Sequence, residues 1–599
     1  MGRAQTIKHR SGVRRSQRRL RIESLEGRRL LATYYINSSE GSDANAGTSP
    51  DQAWASIAKV NSAALQGGDE VLLQRGSEWN GELRATRSGT ASNPIRFGAY
   101  GTGARPEVFQ LYVSGDHTVF EELTVDHQKK SGDAVRVRGA AGVVLRDMEI
   151  RNGLNDGVDL DDADGIVMDG LYIHHFLAGT FTNQADAHGV VATGTRGLTI
   201  RNTEIHHVSG DSFQADPGRN ASDITTDILI EDSHFWTAPL EADFGAWRAG
   251  QRPGENAVDT KVVKNGWENV ERMRLTFRNV TAHGWLADGY IGNKAAFNMK
   301  EKIDAVFDGV TVYDSEIAFR LRGALGNADV TIQNAVIYDV DKAFRAEDNL
   351  KNLELTNSTF GDGIKTLVQF AGGDSGKSTW NVRNNAFVGS KPGVATDPSN
   401  RIAVAGDFVN PAARDYRLAT GSSLVDAGTK ISSIVRDRSG VARPQGATHD
   451  VGAYERTATT PPSPAPVAAI DLRNHPVGSY GGKQDKGTAS VQDQGDTLHV
   501  KGNAWKQIAF PYQVTPDTIL EFDFRSSDQA EVHAIGFDND LAMSEGYGFQ
   551  LYGTQKWGSG EFRNYADSVS QWKHYRIPVG EFYTGAFSHL FFGNDHDVS

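Results

Sequence analysis

Four short segments place charged side chains at one repeated spacing. They are Asn256-Ala-Val-Asp-Thr-Lys261, Ala295-Ala-Phe-Asn-Met-Lys300, Ile317-Ala-Phe-Arg-Leu-Arg322 and Lys342-Ala-Phe-Arg-Ala-Glu347. If they stack in register, one outward column reads Asp259, Asn298, Arg320, Arg345 and a second reads Lys261, Lys300, Arg322, Glu347. Stacked strands lie about 4.8 Å apart, so cations in such columns crowd one another unless an anion or a metal-bound substrate sits between them. The chemistry this suits is β-elimination of a uronate, where the substrate carboxylate is neutralised, a base takes the C5 proton and the leaving oxygen is protonated. A lysine among other cations has its pKa lowered and can serve as that base. Ca2+ held by carboxylates can supply the neutralisation. This reading makes Lys261 or Lys300 the base and sets Arg320 and Arg322 on the uronate. Arg345, Asn298, Trp247 and Tyr290 become further substrate contacts, and Asp159, Asp161, Asp216 and Asp259 the calcium ligands.

The elements that position these residues are half-buried strands. Each segment alternates apolar and polar residues, with Val258, Phe297, Phe319 and Phe344 pointing inward. The pattern starts earlier, at Asp133-Ala-Val-Arg-Val-Arg138, Asp156-Gly-Val-Asp-Leu-Asp161, His188-Gly-Val-Val-Ala-Thr193 and Asp211-Ser-Phe-Gln-Ala-Asp216. A second motif recurs between them: Leu145-Arg-Asp147, Met168-Asp169, Ile200-Arg-Asn202, Ile230-Glu-Asp232, Phe277-Arg-Asn279, Phe307-Asp308, Ile332-Gln-Asn334, Leu355-Thr-Asn357 and Val382-Arg-Asn384. Its steps are mostly those of a solenoid coil and shorter than a propeller blade. Asn and Asp suit tight turns because they tolerate left-handed backbone, so they read as structural. The histidines that follow these turns (His174, His175, His206, His207, His283) read the same way. Longer steps insert residues 236–253 and 284–294 beside the charged strands, and loops grafted on one face of a solenoid shape a binding surface.

The totals bound the partners. With 599 residues, a solenoid with an accessory domain is expected rather than one core. There is no cysteine, which excludes disulfides and thiolate metal sites. The formal charge is −13; residues 1–31 carry ten Lys/Arg and two Glu, so the remainder is near −21. An acidic body argues against nucleic acid as a partner, and no apolar run reaches spanning length. Residues 1–33 read as a disordered basic tail. Residues 34–456 form the solenoid, 457–467 a stiff proline-rich linker and 468–599 an antiparallel β-sandwich. Trp505, Tyr512, Trp557 and Trp572 are the sandwich aromatics considered for sugar binding, with at least half of them expected in its core.

Several stretches resemble known families. Ser24-Leu-Glu-Gly-Arg-Arg-Leu-Leu-Ala32 is similar to the LEPR-x-LL segment of planctomycete exported or surface proteins, with Gly27 where proline is usual; it implies a secreted or cell-surface location. Residues 34–110 and the Asp415-Tyr-Arg-Leu … Asp450-Val-Gly-Ala-Tyr-Glu ending resemble right-handed parallel β-helix proteins of pectate-lyase type. The sandwich looks like a carbohydrate-binding module. The carboxylates beside a Lys/Arg group resemble those of β-helix lyases. The spacing from Lys300 to Arg320 and Arg322 also looks like that of the alginate lyase and chondroitinase B family, whose two preceding Glu are replaced here by Asn293 and Ala295. The resemblance implies a polysaccharide lyase acting on an acidic polysaccharide with Ca2+, and the chain is expected to be a monomer. Two other readings stand beside it. A β-helix glycoside hydrolase would use a carboxylate pair from Asp161, Asp216, Glu255 and Asp259. A solvated or adhesive face would use none.

Overall fold

The computed structural model describes residues 31–599 except 263, 265, 268, 373–378, 458–469, 471, 493–494, 496, 515–517, 544, 566–568 and 597–599. Nearly all of the basic segment and of the proline-rich linker therefore lies outside the described residues.

The coils form three long parallel ladders. The first has thirteen strands, from Thr33–Ile36 to Asn381–Arg383. The second runs from Glu78–Ala85 through Val158–Asp161, Phe213–Asp216, Asn256–Thr260, Ala295–Met299 and Ser315–Arg322 to Thr366–Ala371; it is called the site ladder below. The third runs from Thr124–Lys130 through Tyr172–Phe176, Glu204–Val208, His234–Trp236 and Thr281–His283 to Arg401–Ala403. This is the expected parallel β-helix. Its core is the inward column of the site ladder: Val135, Val158, Val190, Phe213, Val258, Phe297, Phe319 and Phe344 are all buried. Phe297 stacks on Phe319 at 5.3 Å and Phe319 on Phe344 at 5.5 Å.

The second motif forms the turns. Asp147, Asn202, Asp232, Asn279, Asn334, Asn357 and Asn384 all have φ between 46° and 57°. After Asp169 and Asp308 a glycine takes that conformation instead, Gly170 at 69° and Gly309 at 71°. The turns also bond to each other: Asn202 donates to Asp169, Asn279 to Asp232, Asn334 to Asp308 and Asn384 to Asn357. The helix Ile57–Ser62, capped by the Ser56 side chain, buries Ile57 and Val60 against the first strand of the site ladder. At the other end Arg443 and Glu455 form a fully buried ion pair of 2.8 Å.

Beyond the linker the sheets are antiparallel. A five-stranded sheet contains Ala504–Val514, Gly585–Asp595 and Val532–Asp538, and two strand pairs accompany it. Trp505 and Trp557 are buried there edge-to-face, whereas Trp572 stays 52% exposed under the Arg525 guanidinium.

Candidate functional site

The register of the site ladder brings the charged columns together as the spacing requires. Gln214, Asp259, Asn298, Arg320 and Arg345 are successive partners across five strands. Arg322 pairs with Glu347. Lys261 follows directly, its N–H donating to Ala215 O at 2.9 Å, and the Lys300 N–H donates to Thr260 Oγ1 at 2.7 Å.

The charges are matched rather than crowded. Asp259 is buried and its Oδ2 receives both ammonium groups, Lys300 at 2.8 Å and Lys261 at 2.9 Å. Lys261 also lies 3.8 Å from Asp211 Oδ2. Burial pulls the Lys261 pKa down, but Asp259 and Asp211 outweigh it and the net shift is upward. The expected neutral lysine base is therefore corrected at Lys261: its immediate neighbours are anions, not other cations. Arg320 and Arg345 both hold Glu347, and Arg322 reaches Glu347 at 3.7 Å and Asp348 at 3.2 Å. Burial acts to raise the Glu347 pKa, yet the bonds from Arg320 and Arg345 leave it lowered. The three arginines thus meet carboxylates of the chain itself.

The four proposed calcium ligands do not fit a calcium site. Asp159 bonds Arg138, Asp161 is held by both arms of Arg219 at 2.8 Å, Asp216 accepts from Gly218 N, and Asp259 is taken by the two lysines. Among the described residues no group of three or more His, Asp or Glu stands placed to hold a metal ion. Asp159, Asp161 and Asp259 found their counter-charge in side chains on their own or nearby coils, and Asp216 is held by a backbone N–H.

A carboxyl cluster that the outward columns do not include lies at the start of the same strands. Asp211 is fully buried; its Oδ1 accepts from Asn256 Nδ2 at 2.8 Å. Its N–H donates to His188 Nδ1 at 2.8 Å, and the His188 N–H donates to Asp156 Oδ1 at 2.8 Å. Burial, then the Asp259 charge, push Asp211 up to about 7. Burial, then Asp211 and Asp186, push Glu255 up to about 7 as well. Glu255 and Asp156 are half-buried and Asp186 is exposed, whereas Asp211 is sealed in. The signal was in the sequence: two positions before each inward apolar residue stand Asp133, Asp156, His188, Asp211 and Asn256, where later copies carry Ala295 and Ile317.

The inserted loops wall this end of the strands. The hairpin Ala178–Thr180/Asn183–Ala185 meets both: Gln184 accepts from Gly254 N, and Phe181 meets Trp247 and Tyr290 edge-on. Trp247 is a correction. It is wholly buried with Leu177, Leu240 and Phe244, so it anchors its loop and offers no ring face to a sugar. Tyr290, in contrast, is 55% exposed. Its loop is pinned by Lys294, whose ammonium lies 2.5 Å from Asp288.

No family model matches the chain. A lacto-N-biosidase of Bifidobacterium longum subsp. longum is 29% identical over 205 residues, which is 30% of this chain. The match spans 12% of that protein's own length. Among solved structures, pectate lyase Pel9A superposes with a TM-score of 0.43 at 17% identity, covering 72% of this chain and 98% of the other. A GH136 lacto-N-biosidase from Eubacterium ramulus gives 0.34 at 13%, covering 59% and 68%.

Proposed function

We propose that the chain is a secreted or cell-surface protein that hydrolyses glycosidic bonds of a glycan on the site ladder, with Glu255 as the acid and the buried Asp259 as the anion beside it. The observation that carries this is Glu255 itself: a half-buried carboxyl pushed up to about 7, directly before the strand Asn256–Thr260 that carries a carboxylate clamped by two lysines. Hydrolysis needs one carboxyl that still carries its proton to donate to the leaving oxygen, and one that is anionic to activate water or attack the sugar. Lys261 and Lys300 hold Asp259 in place and favour negative charge beside it. Tyr290 supplies an exposed ring for a sugar face. The likeness to a lacto-N-biosidase supports the same class of reaction.

Uronate elimination is the second reading, favoured by Lys261 and Lys300 standing together on one wall. One assay separates the two. The protein is incubated with pectate, alginate, glycosaminoglycans and neutral oligosaccharides, with and without chelator. New reducing ends without ultraviolet absorbance support hydrolysis. Absorbance from an unsaturated uronate product would replace it with elimination. Neither signal, with glycan binding retained, would leave an adhesive role.

A further inference from the structure

We infer that the glycan unit met at the Asp259 rung is uncharged, and that Gln214 and Asn298 recognise its hydroxyl groups, a refinement that rests on the hydrolase reading. Gln214, Asp259 and Asn298 are partners on three successive rungs of the site ladder. Each follows an inward residue, Phe213, Val258 or Phe297, so all three side chains leave the strand on its outer face. They are buried there all the same, Gln214 at 8% exposure and Asn298 at 3%. Gln214 Oε1, Asp259 Oδ1 and Asn298 Oδ1 accept no hydrogen bond from the chain. Buried polar atoms are nearly always paired, and three adjacent exceptions call for donors that come from a ligand.

The chemistry of the surroundings selects the donor. A metal cation does not suit the place, because the Lys261 and Lys300 ammonium groups already meet Asp259 Oδ2. An acidic sugar suits it no better. The cations of both columns are matched by carboxylates of the chain: Lys261 and Lys300 by Asp259, Arg320 and Arg345 by Glu347, Arg322 by Asp348. A uronate carboxylate would face the acceptor oxygens instead. An amide turned over offers it an N–H, but Asp259, standing between the two amides, offers only lone pairs. A hydroxyl group donates to such an oxygen, and its own oxygen accepts from an amide N–H. With rungs about 4.8 Å apart, the three oxygens suit hydroxyls spread along a glycan rather than one lone group.

The test is calorimetric titration of the full chain carrying Glu255→Gln, so that no ligand is consumed, with neutral oligosaccharides and with oligogalacturonate. This parent should bind at least one neutral oligosaccharide more tightly than oligogalacturonate. Gln214→Met and Asn298→Val, added singly, should weaken that binding at least tenfold. Both should melt no lower than the parent, because an apolar side chain of similar size removes a buried polar group that the free protein leaves unpaired. Unchanged affinity in both variants overturns the inference, and so does a parent that prefers oligogalacturonate. If a variant fails to fold, the preference of the parent decides by itself. Neutral binding with no release of reducing ends by wild type removes the hydrolase reading and leaves the two amides as a binding site.

Discussion

The Lys300 ammonium lies 2.8 Å from Asp259 Oδ2, although the two residues are 41 positions apart in the chain. Lys261 meets the same oxygen at 2.9 Å. Removing Asp259 would leave two ammonium groups facing each other in a half-buried site. Asp259→Ala should therefore lose both activity and stability, the latter by about 3–5 kcal/mol, as when one partner of a buried pair is deleted. Asp259→Asn keeps the shape and should lose activity with a smaller stability loss. Chemical denaturation and the reducing-end assay read the two effects apart.

Glu255→Gln should lower turnover by about 10²–10⁴ while the protein stays folded, the range for loss of a general acid or base. In wild type kcat/KM should fall as pH rises through about 7, because the acid must be protonated to act. That limb should be missing from the residual activity of Glu255→Gln.

Tyr290 and Trp247, which both meet Phe181, should respond differently. Tyr290→Ala should raise KM several-fold and leave the melting temperature nearly unchanged, because the ring is exposed. Trp247→Ala should cost about 3–5 kcal/mol of stability, as large-to-small changes in a core do. Equal effects on KM and melting from both would remove Tyr290 from the site.

The third ladder makes the protein sensitive to acid. His206 stacks on Trp236 at 4.2 Å, and His283 on Tyr313 at 4.4 Å. Burial, followed by neighbouring cations or imidazoles, lowers His175 to about 3 and His207, His234 and His283 to about 4; His206 moves down for the same reasons. An unfolded histidine takes up its proton near 6.5. Between there and about pH 4 the unfolded chain binds more protons, so each such histidine lowers stability by up to about 1.4 kcal/mol per unit of falling pH. Asp211 and Glu255 act in the opposite sense, so the comparison must be with a variant. His283→Tyr keeps the ring stack and should lose less melting temperature than wild type between pH 7 and 5. Equal losses would show that His283 titrates normally in the folded protein.

The sequence by itself determined the solenoid, its coil period, its turn residues and the register of the charged columns. These follow from local alternation and from the φ preference of Asn, Asp and Gly, repeated coil after coil, so a reader of one strand can place the next. It also showed that Asp259, Lys261 and Lys300 would stand side by side. Tertiary structure alone decided which charges cancel. Glu347 sits among three arginines, Arg219 reaches Asp161 from 58 positions away, and Trp247 turns into its own loop's core. It also decided that buried Asp211 and half-buried Glu255, rather than the lysines, are the groups whose proton affinity moves toward neutrality. Burial and partner distance set that outcome, and both depend on side chains brought together by folding rather than on the spacing within any one strand.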